Sequence, residues 1–172
     1  MQNSKQWKNT GNGVYLFAVN NKQIGTIAIN RGSLKRNAEI TLGAKKFNLT
    51  KIGFWKTTTL IAEENGNIIM KVYPEKWYGN TFLIECSNKV YQLVFRNNPL
   101  AEFAITENGT DVLAYGLDTL AGKVGLKITV ASNQPDYLFD FLLWYWFVPV
   151  ATENIVESTG VFTTLLDAAA QL

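Results

Sequence analysis

The chain has 172 residues, of which 47% are hydrophobic and 17% charged, so it has the length and composition of one globular domain, residues 1–172. It contains no histidine and one cysteine, Cys86. That excludes a Ser-His-Asp triad, a Cys-His dyad, a zinc cluster and an internal disulfide, and it fits a reducing compartment.

The N-terminal Met1–Trp7 segment is polar and predicts no secretory leader. From residue 14 to 130, runs of Val, Ile, Thr, Phe and Tyr alternate with Gly and Asn turn signals. They predict strands at Val14–Val19, Ile24–Ile29, Ala38–Leu42, Lys46–Lys51, Thr59–Glu63 and Ile68–Val72. Further strands are expected at Phe82–Cys86, Val90–Phe95, Ala101–Thr106, Val112–Tyr115 and Leu126–Val130. Asn65-Gly66 and Asn108-Gly109 are the strongest type I′ hairpin signals, with Asn20-Asn21, Gly43-Ala44 and Ser87-Asn88 as further tight turns. Cys86, inside a strand, is expected to be a buried, inert thiol.

Ile40–Leu49 overlays Ile84–Leu93, matching Ile40 with Ile84, Phe47 with Tyr91, Leu49 with Leu93 and Lys45 with Lys89. Glu64-Asn65-Gly66 then falls on Glu107-Asn108-Gly109. The pattern is that of two similar halves. The expected fold is mainly β, an antiparallel closed β-barrel of about 11–12 strands.

Ser132-Asn133-Gln134-Pro135-Asp136 is a helix start signal, with Asp136 and Asp140 placed to complement the positive end of the dipole. Residues 136–151 are apolar on every face and carry seven aromatics counted from Tyr137, so this helix must be enclosed. Pro149 should end or kink it. As a membrane span, Tyr137–Ala151 would reach only about 22 Å at about 1.5 Å per residue, against about 30 Å of hydrocarbon. Residues 152–172 form a tail, polar over Thr152–Gly160, with a short helix expected over Val161–Leu172.

This order of elements resembles the tubby C-terminal-like superfamily, which includes the tubby domain, the phospholipid scramblases and the LURP-one-related proteins. The elements that carry the resemblance are Ile40–Leu49, Ile84–Leu93, the two Glu-Asn-Gly turns and Asp136–Ala151, and it covers about Val14–Ala151. It implies a barrel wrapped around its hydrophobic C-terminal helix and binding of an anionic lipid or phosphoinositide. It carries over no functional residue.

Charge is segregated along the chain. Residues 1–60 hold ten Lys or Arg against Glu39 alone, while residues 61–172 hold six basic and thirteen acidic residues. If the early strands lie together, Lys35, Arg36, Lys45, Lys46, Lys51 and Lys56 form a basic face for an anionic head group. Their other reading is solvated strand and turn residues that keep edges soluble. Nucleic acid is disfavoured: Trp7, Tyr15, Phe47, Phe54 and Trp55 interleave with the lysines as stacking rings would, but strand aromatics belong more often to a core. Trp55, Trp77 and Tyr78 are expected to cap the barrel ends over the helix; their other reading, beside Lys56 and Lys76, is insertion into a membrane interface. The carboxylates Glu63, Glu64, Asp136 and Asp140 have simpler roles in turns and at a helix start. Gly11-Asn12-Gly13 matches no nucleotide fingerprint.

The resulting expectation is a non-enzymatic cytoplasmic domain with no catalytic residues, metal or cofactor and no transmembrane span, peripheral on an anionic lipid surface. The alternatives are a small-molecule carrier with space inside the barrel, or a protein-interaction module whose aromatic helix or tail docks outside the fold. Protein partners are not specified by any motif.

Overall fold

The computed structural model of the chain describes residues 4–30, 32, 37–53, 57–76, 78–97, 100–131, 136–155 and 161–163. Twelve antiparallel strands follow one another as a meander: β1 (Lys5–Gly11), β2 (Val14–Val19), β3 (Lys22–Ile29), β4 (Ala38–Leu42), β5 (Lys45–Ile52) and β6 (Thr58–Glu63), then β7 (Ile68–Pro74), β8 (Thr81–Cys86), β9 (Lys89–Asn97), β10 (Ala101–Glu107), β11 (Thr110–Leu120) and β12 (Lys123–Val130). The helix α1 (Leu138–Asn154) comes next, and a short β13 (Val161–Thr163) pairs antiparallel with β1. β12 contacts β13 across a seam that has no paired register, so the barrel is nearly closed.

Period-two patterning sets the inward face. In β5, Phe47 and Leu49 are buried while Asn48 between them is exposed; in β2, Tyr15, Phe17 and Val19 point inward. Antiparallel pairing gives the barrel two unlike ends. At the turn end, Asn20-Asn21, Ser87-Asn88 and Asn108-Gly109 take positive φ at both central residues, as type I′ turns require. The longer connections between β3 and β4, β5 and β6, and β7 and β8 all leave from the other, loop end.

The helix enters at the turn end and runs toward the loop end through the interior. Its residues Phe141 through Tyr145, with Phe147 and Val148, are completely buried. Trp144 stacks on Trp7 of β1, with centroids 4.8 Å apart and planes 5° from parallel. Phe139 meets Tyr91 of β9 at 5.0 Å, Phe147 meets Phe103 of β10 at 5.3 Å, and Trp146 meets Phe82 of β8 at 5.3 Å. Rings from β1, β8, β9 and β10 thus close on one helix. A helix apolar on every face has no other stable place in water. This overturns the alternative in which the helix docks outside the fold.

Several expectations change. The polar segment Lys5–Gly11 is strand β1, because Lys5 and Trp7 alternate inward and find partners inside. Val161–Thr163 is a strand and not the start of a helix: Val, Phe and Thr are good strand formers, and Phe162 packs 5.0 Å from Trp144. The remainder of the expected tail helix lies outside the described residues, as does Ser132–Pro135. Pro149 does not end α1, which continues to Asn154. It forgoes one hydrogen bond, and Thr152 Oγ1 and Asn154 Nδ2 donate to the carbonyls of Val148 and Val150 at 2.8 Å in the last turns. At Asn65-Gly66 only Gly66 takes positive φ, and Gly66 N–H donates to Glu63 O at 2.9 Å, so this connection is a longer turn than the two-residue type I′ expected. The two overlaid units occupy the β4–β5 and β8–β9 hairpins. Cys86 is half-buried, not buried, since β8 turns only Ile84 fully into the core.

Candidate functional site

Of the six basic residues, the three that are described, Lys45, Lys46 and Lys51, do not share one face. Lys45 and Lys46 stand exposed at the turn end, where Lys46 Nζ lies 4.0 Å from Glu64 Oε1. Lys51 sits on the same strand, at the loop end and on the inward side. At about 3.3 Å per residue it is roughly 17 Å from Lys46 along β5. Its ammonium lies 4.2 Å from the centroid of the Trp146 ring and 5.5 Å from that of Tyr145, a cation–π contact that lids the end of the helix. Lys35, Arg36 and Lys56 lie outside the described residues, as do Phe54, Trp55 and Trp77. Tyr78 is 64% exposed and is not part of the core. Trp7, Tyr15 and Phe47 are core residues, so they offer no stacking platform to a nucleic acid.

The loop end of β1–β5 holds a depression of about 980 Å³. Its floor includes the buried side chains of Tyr15, Ile29 and Leu49. Its walls carry five asparagines, Asn9, Asn12, Asn30, Asn37 and Asn48. Two are held by their own turns: Asn9 Oδ1 accepts from Gly11 N–H at 2.9 Å and Asn30 Oδ1 from Gly32 N–H at 3.0 Å. Asn37 Oδ1 is buried without a hydrogen-bond partner. A buried amide oxygen left in that condition costs free energy that a ligand donor would recover. The only charged group among the described lining residues is Glu39. Asn12, Asn30 and Asn37 sit in turns or beside strand ends, while Asn9 lies in β1 and Asn48 in the middle of β5. The signal that unites them is topological: the meander brings all five to one depression.

A second polar centre lies inside, near the turn end. Lys5 Nζ donates to Asp140 Oδ1 at 2.7 Å and Oδ2 at 2.9 Å, and the two side chains are 3% and 0% exposed. Tyr115 Oη donates to Asp140 Oδ1 at 2.8 Å, and Trp7 Nε1 donates to Tyr115 Oη at 3.0 Å. Burial pushes the Lys5 ammonium below its ordinary pKa, against the pull of Asp140. Burial, with the Asp140 charge adding to it, pushes the Tyr115 phenol well above its own. Asp140 therefore does more than complement a helix dipole: it ties the core helix to β1 and β11. Asp136 keeps a local role, its Oδ1 accepting from Leu138 N–H at 3.0 Å.

Among the described residues no three His, Cys, Asp or Glu side chains group as a metal site, and no helix is long and apolar enough to cross a membrane. No protein-family model, curated protein or solved structure matches the chain.

Proposed function

We propose that the protein is a non-enzymatic binding domain whose ligand, a small neutral molecule rich in hydroxyl groups, occupies the loop-end depression. The observation that carries this reading is the asparagine-lined wall with the unpaired Asn37 Oδ1. An amide presents a donor and an acceptor side by side, and a hydroxyl can answer both. The volume of about 980 Å³ is at the upper end of the range for small-molecule sites. A neutral ligand meets Glu39 in the lining without the repulsion that a phosphate would. The carrier alternative thus moves from the barrel interior, which the helix fills, to the rim. Titration of the labelled protein with myo-inositol and simple sugars, followed by amide NMR, tests it. Shifts at Asn37 and Asn48 that disappear in Asn48→Ala support the reading, and a flat titration across the panel overturns it.

A second reading follows from the resemblance to the tubby C-terminal-like superfamily: peripheral binding to an anionic lipid surface in the cytoplasm. What supports it is the barrel around a C-terminal helix, together with Lys22, Lys45 and Lys46 exposed at the turn end of neighbouring hairpins. Flotation with anionic and with neutral liposomes separates the two readings, because they use opposite ends of the barrel. Equal flotation with both liposomes, or no loss on changing Lys45 and Lys46 to Glu, counts against the lipid surface.

A further inference from the structure

Lys5 and Asp140 are 135 positions apart in the chain and meet in a closed, aromatic chamber. The Lys5 ammonium lies 5.9 Å from the centroid of the Phe17 ring and 5.8 Å from that of Tyr137. Two buried ions carry a desolvation penalty that their attraction only partly offsets. An ammonium and a carboxylate in contact have one further way to shed both charges, which is to condense. We propose that Lys5 and Asp140 form a self-catalysed cross-link site, in which Lys5 Nζ becomes joined to Asp140 Cγ by an isopeptide bond and Tyr115 is the catalytic hydrogen-bond donor.

The reacting groups are already in contact. A nitrogen held 2.7 and 2.9 Å from the two carboxylate oxygens stands about 3 Å from Cγ, and rotation of the carboxylate about Cβ–Cγ turns its face toward the nitrogen for attack. Holding the two groups together supplies the high effective concentration that a condensation needs. Burial lowers the pKa of Lys5, which moves its ammonium toward the neutral amine that the attack needs. Tyr115 Oη donates to Oδ1, where negative charge develops in the tetrahedral intermediate, and Trp7 Nε1 polarises the phenol by donating to its oxygen.

The step balances. One ammonium proton passes to Oδ2. The nitrogen lone pair forms a bond to Cγ while the carbonyl electron pair moves onto Oδ1. A second proton passes from nitrogen to Oδ2, the Cγ–Oδ2 bond breaks, water leaves, and the pair on Oδ1 restores the carbonyl. Ammonium and carboxylate give a secondary amide and one water, with no oxidant and no net proton change. The product replaces two buried charges with a neutral group and fastens the first strand to the core helix.

Intact mass of the purified, denatured full chain tests the proposal. The wild type is expected one water lighter than its sequence. Its tryptic digest should contain a branched peptide joining the segments of Lys5 and Asp140, with no cleavage after Lys5. Lys5→Arg, which keeps the charge, should show the full mass. Tyr115→Phe should accumulate a full-mass fraction. A folded wild type that keeps the full mass after prolonged incubation overturns the proposal, and this measurement does not depend on any variant folding. A water loss that persists in Lys5→Arg also overturns it, since that loss belongs to an aspartyl succinimide elsewhere.

Discussion

Gly25 is where the barrel wall presses hardest on its neighbours, so Gly25→Ala measures how tightly wall and helix fit. Gly25 pairs with Leu42 on β4 and with Phe17 on β2, beside the register shift at Phe17/Ala18. A Cβ built there would lie 2.2 Å from the carbonyl oxygen of Thr41 and 3.0 Å from Phe141 Cζ on the helix. The first contact is with backbone, which cannot rotate away. Restoring an ordinary contact takes about 1 Å of separation between β3 and β4, more than a ladder hydrogen bond tolerates. The second contact pushes on a ring that is itself packed 5.2 Å from Trp7 and 5.6 Å from Phe17. Overpacking of this kind costs about 2–3 kcal/mol. At roughly 2–4 °C per kcal/mol for a chain of this size, the melting temperature should fall by about 4–12 °C. Gly116→Ala is the control: there the nearest atoms are the flexible Glu102 side chain at 3.3 Å, and the change should stay within about 1 kcal/mol. Calorimetry or circular dichroism on both variants gives the answer. A Gly25→Ala protein that melts within about 1 °C of wild type would refute the close fit of β3 against both β4 and Phe141.

Lys5→Met leaves the Asp140 carboxylate buried and uncompensated, whether the pair is ionic or condensed. Urea unfolding should find it about 3–5 kcal/mol less stable than the double variant Lys5→Met/Asp140→Leu, and equal stabilities would count against a buried charge at residue 140. The raised pKa of Tyr115 means that, above pH 10, the unfolded chain releases a phenolic proton that the folded chain keeps. Stability is therefore unaffected by this group below pH 10 and falls as pH rises through its folded value; Tyr115→Phe should flatten that alkaline decline in urea midpoints. Ala121 holds φ +51° in the β11–β12 turn, a conformation that strains an L residue. Ala121→Gly should raise stability by about 0.5–1 kcal/mol, and a lower melting temperature would show that the turn is set otherwise.

The strands and the enclosed helix were legible because their signals are local. Alternation around Phe47 and Leu49, the Asn-Gly and Asn-Asn turns, and the unbroken apolar run after Asp140 each act over a few residues. The sequence predicts β11 short, as Val112–Tyr115, because Gly116 and Asp118 look like punctuation; in the barrel they continue a strand of eleven residues. β1 was missed for a different reason. Its lysine faces inward, and nothing near it in sequence says that a carboxylate waits at residue 140. The same holds for the depression. Asn9, Asn30 and Asn48 carry no common local pattern, and only the up-and-down order of five strands gathers them. What depended on pairing across the fold was invisible to any reading confined to a window.

The position of β13 links closure of the barrel to occupation of its interior. The chain leaves α1 at the loop end, and β13 runs back antiparallel to β1 into the seam beside β12. Phe162 pairs opposite Trp7 in register and meets Trp144 of the helix at 5.0 Å. Trp7 in turn stacks on Trp144. The residue that fills the seam thus rests on a platform that exists only when the helix is inside and β1 is in place. β1 itself carries Lys5, which is ion-paired with Asp140 of that helix. A wall without the helix would bury Lys5 without the Asp140 carboxylate and leave Phe162 without Trp144 to pack on, so wall and helix stabilise each other. Insertion of the helix, pairing of the ions and closure of the seam must then occur as one cooperative event. It is governed by contacts between the two extremes of the chain, which is the regime in which loop-closure entropy makes folding slow.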